Sequence, residues 1–231
     1  MALSPVAQQE ANSRSPSRLP AAVPLYADDL PDLCRADGAA LRMRMARSAS
    51  RAPAVLVALV PDFQTVQWHF AREEFVAKEL FDKLPKIKGS IVRGQEGSRV
   101  WSIWTRTFGN ENEGHTLNIL RIVIEGEEEF DSQALGQEPS MSSLGSSDQQ
   151  RVLAAASVLQ AARQEAAAWT MNDVQIWNPT TLAALAVKHL YPSATLIHRD
   201  AESIASLRWR SPGMDPGVEV RWIGNEKYGW C

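Results

Sequence analysis

The chain has 231 residues, 45% of them hydrophobic and 22% charged, a composition that can bury the core of a soluble globular protein. Its 24 basic and 27 acidic residues leave a formal net charge of −3, which excludes the strongly basic surfaces typical of proteins that bind nucleic acid or anionic membranes. No apolar run approaches the ~20 residues that span a bilayer, and Cys34 and Cys231 have no zinc-ligand spacing, so we expect a reduced, cytoplasmic protein without a metal site.

The first quarter of the chain predicts a leader, a helix and a strand. Residues 1–24 are predicted to be a disordered leader because their first part is rich in Ser, Pro, Ala and Arg and can bury little apolar surface. A helix is predicted over residues 30–47, with Asp29 as its N-cap. A buried strand is predicted over residues 55–60.

The second predicted helix, over residues 63–81, has apolar residues in two sectors. One sector repeats with the helical period and contains Phe63, Val66, Phe70, Ala77 and Phe81. The other sector contains Trp68, Ala71 and Phe75. Because both sectors are apolar, we expect other parts of the protein to cover this helix on two sides.

The middle of the chain predicts three strands and a long helix. Short connections that contain glycine predict antiparallel hairpins between strands at residues 89–93, 99–108 and 116–125. Residues 127–146 are predicted to be a mobile polar insertion. A long helix is predicted over residues 148–169, and Ser147 and Gln150 form a capping-box pattern at its start.

The last part of the chain predicts a strand, a helix and two further strands. The strand at residues 174–177 precedes a helix that Thr180 or Thr181 caps and that ends near Leu190, and the last strands lie at residues 195–198 and 218–223. The element order over residues 25–231 predicts an α/β (α+β) domain. Its sheet is mixed and mostly antiparallel, with helices on both faces.

Seven stretches of sequence and the Leu25-Tyr26 pair carry a resemblance to a known family. They are ALVPD at 58–62, QWHFAREEF at 67–75, RVWSIWTR at 99–106, TLNILR at 116–121, VQIWNP at 174–179, ESIASLRW at 202–209 and WIGNEKYGWC at 222–231. With these stretches, the chain from about Leu25 to Cys231 resembles the C-terminal half of the fungal lysine N-acetyltransferase family. The element order is also that of the GNAT superfamily, so the resemblance implies a GNAT-like fold.

The resemblance implies acetyl transfer from acetyl-CoA to the side-chain amine of lysine. In that family an acetyl-CoA-binding GNAT domain with an (R/Q)xxGx(G/A) loop precedes this half, and the present chain contains no such motif. At the corresponding junction it has the run EGEEE at residues 125–129, whose four glutamates would repel a pyrophosphate. We therefore expect no cofactor in this chain alone, and acetyl-CoA only where the N-terminal domain is present.

Three hypotheses for the function follow. The first is a non-catalytic domain that positions lysine or a lysine-like amine for a partner acetyltransferase domain, or that supports that domain structurally. The second is an active acetyl-CoA-dependent N-acetyltransferase in which residues 144–147 would supply the N–H groups for the cofactor. The third is an interaction module. The sequence fits either a natural short form or a truncated gene.

The helix at residues 63–81 offers a candidate acid–base pair. His69 and Glu73 are one turn apart and can touch. A carboxylate at Glu73 would be partly desolvated, which would raise its pKa toward that of a useful base for an amine. The structural alternative is a hydrogen bond from the backbone or from Arg72 to Glu73. Arg72 and Trp68 on the same helix are candidates for substrate binding.

The predicted strands supply further candidates, each with a structural alternative. Trp104 could form part of an aromatic cage for a lysine ammonium, but with Trp101 on the opposite face of the sheet it also fits a core residue. Arg106 and Arg121, on adjacent strands, could bind a substrate carboxylate, or could pair with acidic residues of the protein.

The end of one strand and the C-terminal tail complete the set of candidates. Asn178 could donate a hydrogen bond to an acyl carbonyl or could open the next helix. The aromatic tail predicts docking into a groove, with Asn225, Glu226 and Tyr228 as candidates for substrate binding. The Cys231 carboxylate is a candidate acid–base group, and a tail that only fills the groove is the alternative.

Overall fold

A six-stranded sheet forms the centre of the domain in the computed structural model, which describes residues 2–3, 19–49, 55–110, 113–127, 140–197 and 219–230. Its strands, in spatial order, are β1 (Ala2–Leu3), β7 (Asp173–Ile176), β6 (His115–Ile124), β5 (Val100–Phe108), β4 (Gly89–Val92) and β2 (Ala22–Leu25). All neighbouring strands are antiparallel except β6 and β7, which are parallel. The predicted mixed, mostly antiparallel sheet is thereby confirmed.

Helices cover both faces of the sheet, as the sequence predicts. The helices α1 (Leu30–Ala49) and α2 (Phe63–Phe81) lie on one face, and α3 (Ser146–Ala168) and α4 (Thr181–Leu190) lie on the other. Each face has its own hydrophobic core: Trp101 belongs to the core under α1 and α2, and Trp104 to the core under α3 and α4. Both tryptophans are buried, so the structure confirms the interpretation of core residues.

A β-bulge interrupts the pairing of β5 with β6. Ile103 lies opposite Arg121, whereas the next residue, Trp104, lies opposite Ile119, so Leu120 is the additional residue. The bulge turns two consecutive side chains toward the same layer: Leu120 joins the core under α1 and α2, and Arg121 bonds to Asp37 of α1.

The β3 strand (Val55–Val57) and the β8 strand (Val220–Trp222) form a separate two-stranded parallel sheet, which the sequence did not predict. The strand predicted at residues 55–60 is therefore shorter than expected. Of the strand predicted at 195–198, the structure describes residues 195–197, where residue 195 forms an isolated β-bridge and residues 196 and 197 are irregular. Residue 198 lies outside the described residues. The β8 strand lies inside the last predicted strand, at 218–223.

Three further predictions need correction. The leader cannot extend to residue 24, because Ala22–Leu25 forms β2 and pairs with β4. The second apolar sector of α2 is uncovered: Trp68 is 48% exposed and Phe75 is 69% exposed. The N-cap of α3 is Gly145, which offers no side-chain hydrogen bond, so Ser147 and Gln150 form no capping box.

The predicted cap of α4 is confirmed, since Thr180 accepts a hydrogen bond from the Ala183 N–H. The structure adds a cap that was not predicted, because Asp62 accepts from the Thr65 N–H at the start of α2. Asp29, predicted as the N-cap of α1, lies in the 3₁₀ turn before that helix, and its carboxylate accepts from the Tyr26 N–H rather than from an N–H of α1. Most of the predicted insertion at 127–146 lies outside the described residues. None of the helices in the described ranges is both long and apolar enough to cross a membrane.

Candidate functional site

A cavity of about 250 Å³ lies between α2, β5 and the C-terminal tail. The α2 helix contributes His69, Arg72, Glu73 and Val76, the β5 strand contributes residues 105–108, and the tail contributes Lys227. Three predicted site residues of α2 and Arg106 of β5 therefore surround one space. The register of α2 explains this, since residues three and four apart share one helix face.

Glu73 belongs to a buried ion-pair network beside this cavity. Its Oε1 accepts from Arg106 Nη1 at 2.5 Å and from the Arg106 backbone N–H at 2.8 Å, and its Oε2 accepts from Lys88 Nζ at 2.9 Å. Arg106 also pairs with Glu165, and Lys88 also pairs with Glu74 at 2.7 Å. Glu73 thus makes the backbone hydrogen bond of the structural alternative, through the Arg106 N–H, and its side-chain partners are Arg106 and Lys88 rather than Arg72.

His69 contacts the tail. Its Nε2 lies 2.9 Å from the carbonyl oxygen of Tyr228, and because a carbonyl only accepts, the imidazole donates through Nε2–H. Burial lowers the pKa of His69, and the positive charges of Lys227 and Arg72 lower it further. The hydrogen bond to Tyr228 O acts in the opposite direction but does not outweigh burial. The imidazole is therefore neutral near pH 7, with its other nitrogen unprotonated.

A second buried network centres on Arg121. Arg121 binds both carboxylate oxygens of Asp37 at 2.8 Å and also pairs with Glu226 of the tail. The other Glu226 oxygen accepts from the Ile122 N–H at 3.1 Å. Burial raises the pKa of Glu226 to about 7, although Arg121 and the Ile122 N–H act in the opposite direction. Arg106 and Arg121 thus both pair with acidic residues of the protein.

The tail occupies the edge of β6 beyond the end of β7. The β7 strand pairs only with residues 116–119 of β6. Successive backbone N–H groups of a strand point to alternate edges, and the Glu125 N–H donates to Arg99 O on the side of β5. The Ile122 N–H, three residues earlier, therefore points to the opposite edge of β6, where Glu226 accepts its hydrogen bond. Asn178, at the end of β7 with a positive φ of 44°, donates its amide to Asn225 O.

Tyr228 anchors the tail in the core. It is 1% exposed, and its hydroxyl donates to Leu59 O at 2.6 Å. Trp230 Nε1 donates to Asn225 Oδ1 at 2.9 Å, which folds the tail onto itself. The predicted docking of the tail is confirmed.

A family model described as "LYC1 GNAT-like C-terminal domain" matches residues 4–231 of the chain. The chain belongs to this family. The comparisons with curated proteins and with solved structures gave no match. Membership of the LYC1-like GNAT C-terminal domain family agrees with the observed sheet and with helices on both of its faces.

Of the other predicted site residues of this LYC1-like domain, Trp68 and Trp104 lie apart from the cavity. Trp68 lies on the outer face of α2 with its ring edge-on to His69 at 5.1 Å between centroids, and Trp104 is buried on the other face of the sheet. Arg72 lies at the exposed rim of the cavity. Cys231 lies outside the described residues.

Several residues of the site escaped the sequence analysis. Asp37, Lys88 and Glu165 complete the two buried networks, and Thr107 and Lys227 line the cavity. Lys88 gave no periodic signal because it precedes β4 directly in a loop. Asp37 did give a signal, since it interrupts the otherwise apolar side of α1, and a charge at such a position indicates a buried partner.

Proposed function

We propose that this protein is a non-catalytic GNAT-like domain that supports a partner acetyltransferase domain. The seated tail carries this proposal. It occupies the edge of β6 beyond β7, where Glu226 engages the Ile122 N–H and Asn225 engages the amide of Asn178. The Ile122 N–H and the Asn178 side-chain amide, which could hold an acyl group at this edge, therefore already have hydrogen-bond partners within the chain.

A supporting role also has a surface available. Trp68, Ala71 and Phe75 form an exposed apolar stripe along the outer face of α2. The family model describes a C-terminal domain, which fits an acetyltransferase domain as the neighbour that covers this stripe. The cavity beside α2 weighs against capture of the lysine ammonium there, since Glu73, the carboxylate that lines it in the described part of the chain, already binds two cations.

An active acetyltransferase is the second candidate, and one observation favours it. The α3 helix begins at Ser146, its N-cap Gly145 has no side chain to accept a hydrogen bond, and Gly145, Ser146 and Ser147 are exposed. The N-cap residue therefore offers no side-chain acceptor to the first N–H groups of α3. A pyrophosphate bound at this helix start would need such N–H groups as donors.

Calorimetry with acetyl-CoA separates the two candidates. We expect no binding to the isolated chain, while the buffer and a known acetyl-CoA-binding domain serve as controls. Tight binding, or acetylation of free lysine by the chain alone, would show that the second candidate is correct.

The supporting role has its own test. We expect the chain to raise the lysine acetylation rate of an acetyl-CoA-binding domain from a lysine N-acetyltransferase of this family. The Trp68→Ser/Phe75→Ser variant should lose this effect, and Tyr26→Ser, which changes an exposed aromatic residue elsewhere, should keep it. An unchanged rate with the wild-type chain would contradict the supporting role.

A further inference from the structure

The tail after Gly224 is attached to the rest of the domain through side chains. The pairing of β8 with β3 ends at Trp222, and the backbone N–H groups of Glu226 and Trp230 donate within the tail, to Gly224 O and Lys227 O. The side chains that join the tail to the rest of the domain are those of Glu226, Tyr228, His69 and Asn178. Because these contacts are not strand pairings, they can break while the central sheet stays intact.

The Glu226 contact belongs to a cluster in which acidic side chains outnumber basic ones. Asp37 binds Arg121 through both of its carboxylate oxygens at 2.8 Å, so Glu226 is the second carboxylate on the same guanidinium. Arg44 Nη2 lies 3.9 Å from Asp37, and Glu127 also acts on the charge of Arg44. With every group ionised, three carboxylates thus face two guanidiniums in this part of the described chain. One bound proton would leave the cluster neutral, which burial favours.

Glu226 is the member of the cluster that binds this proton near neutral pH. Burial raises the pKa of Glu226 to about 7, and the charge of Asp37 acts in the same direction against Arg121. The nearby Tyr228 hydroxyl and Cys34 thiol stay uncharged at this pH, because burial raises the pKa of each. In a detached tail the Glu226 carboxyl would have its ordinary pKa of 4.5, so loss of the proton above pH 7 favours the detached tail.

We propose that residues 225–230 form a pH-sensitive strap that detaches from β6 and α2 when Glu226 loses its proton, while the central sheet and its helices stay folded. Detachment frees the Ile122 N–H and the Asn178 amide and removes Lys227 from the cavity. The β6 edge that the tail covers is then open to another hydrogen-bond acceptor. The inference goes beyond the proposed function and does not depend on it, since it applies to a catalytic and to a supporting domain alike.

His69 acts on the strap with the opposite sign. Its imidazole donates to Tyr228 O, and burial together with the positive charges of Lys227 and Arg72 holds its pKa below 6.5. Glu73, one helical turn away, already binds two other cations. Protonation of His69 therefore favours the detached tail as the pH falls through 6.5, whereas deprotonation of Glu226 favours it as the pH rises through 7. The strap should be held most firmly between these two values.

Hydrogen exchange of single amides in the full chain, followed by NMR, tests the strap. The Ile122 N–H loses its acceptor when the tail detaches, whereas the Trp104 N–H donates to Lys88 O at 2.9 Å, away from the tail. We expect the protection factor of Ile122 to be at least tenfold lower than that of Trp104 and insensitive to low urea. Between pH 6.5 and 8.5 it should fall about fourfold, as Glu226 loses its proton. Equal protection of the two amides, or a protection factor of Ile122 that ignores pH, would overturn the proposal.

Variants assign the pH response to one carboxylate. Glu226→Gln keeps an oxygen for the Ile122 N–H but cannot ionise, so we expect protection of Ile122 that no longer changes between pH 6.5 and 8.5. Arg121 keeps Asp37 as its partner in this variant, which should therefore fold, and the measurement on the wild-type chain does not depend on it. Glu219→Gln, at an exposed position before β8, is the control and should keep the fourfold fall. The same fall in Glu226→Gln, or loss of its Ile122 protection at both pH values, would contradict the assignment.

Discussion

At the scale of single residues, two buried carboxylates have the same task at the edges of two strands. Glu73 accepts the Arg106 N–H on β5 and Glu226 accepts the Ile122 N–H on β6, each where no neighbouring strand continues among the described residues. Each carboxylate also holds a buried arginine. Strand edges need such partners when they are buried, because an unpaired N–H there costs free energy. Both carboxylates therefore already have buried partners within the chain.

Neutralising Glu73 should strongly destabilise the fold. The Glu73→Gln substitution keeps the shape of the side chain but removes the fully buried charge that Lys88 and Arg106 share, so that Lys88 keeps only the half-exposed Glu74 and Arg106 only Glu165. We expect a loss of about 3–5 kcal/mol in the free energy of unfolding. Urea denaturation measures this loss. Glu79→Gln, at an exposed position of α2, should change the free energy by less than about 0.5 kcal/mol. A similarly small loss for Glu73→Gln would contradict the proposed role.

The buried Glu226 predicts a dependence of stability on pH. Its pKa is about 7 in the folded chain, against an ordinary value of 4.5, so the folded state binds more protons between these values. The stabilisation is complete below 4.5 and is lost as the pH rises through 7, by at most about 3 kcal/mol. Urea denaturation at several pH values measures the slope, and Glu226→Gln should abolish this component. An unchanged slope in the variant would show that other groups cause it.

At the scale of elements, the tail behaves as an integral part of the α1/α2 layer. Tyr228 fills the core, its hydroxyl binds Leu59 O, and its carbonyl receives His69. We expect Tyr228→Phe to cost about 1 kcal/mol, the contribution of one hydrogen bond, and Tyr228→Ala to cost about 3–5 kcal/mol. Chemical denaturation compares both with Tyr26→Ala, which removes a half-exposed ring and should cost much less. Equal losses for Tyr228→Ala and Tyr26→Ala would mean that the tail is undocked in solution.

The start of β4 requires a glycine. A Cβ atom on Gly89 would lie 2.2 Å from the backbone oxygen of Ser102 on β5, so the Gly89→Ala substitution must push two paired strands apart. We expect a clear fall in the unfolding temperature, which differential scanning calorimetry measures. Gly145→Ala is the matched control, since nothing lies within 4 Å of its Cβ position. A wild-type unfolding temperature for Gly89→Ala would contradict this close approach of the strands.

The sequence predicted elements whose signal is local. The periodicity of α2 and the glycine-containing hairpins between β4, β5 and β6 depend on neighbouring residues, and both predictions agree with the structure within about two residues. The parallel pairing of β3 with β8 joins segments far apart in the chain, and no local pattern records it. The same applies to Arg121, whose partners Asp37 and Glu226 are 84 and 105 residues away.

At the scale of the whole molecule, the α1/α2 layer has an inner face that builds the core and an outer face that is apolar but uncovered. Phe70 is 4% exposed in the core, whereas Phe75 on the same helix is 69% exposed. The sequence of α2 shows two similar apolar sectors and does not tell which of them is buried. Burial of the sector that contains Phe70 depends on strands that lie elsewhere in the sequence. An exposed apolar stripe contributes little to the stability of the chain that carries it.

Matched substitutions in α2 test this division. We expect Phe75→Ala to change the free energy of unfolding by less than about 0.5 kcal/mol, because its ring is mainly solvated. Phe70→Ala should cost about 3–5 kcal/mol, because it leaves a cavity between α2 and the sheet. Urea denaturation of both variants at one temperature gives the comparison. A large loss for Phe75→Ala would mean that this stripe is covered in the isolated protein, and the surface proposed for the partner domain would then be unavailable for binding.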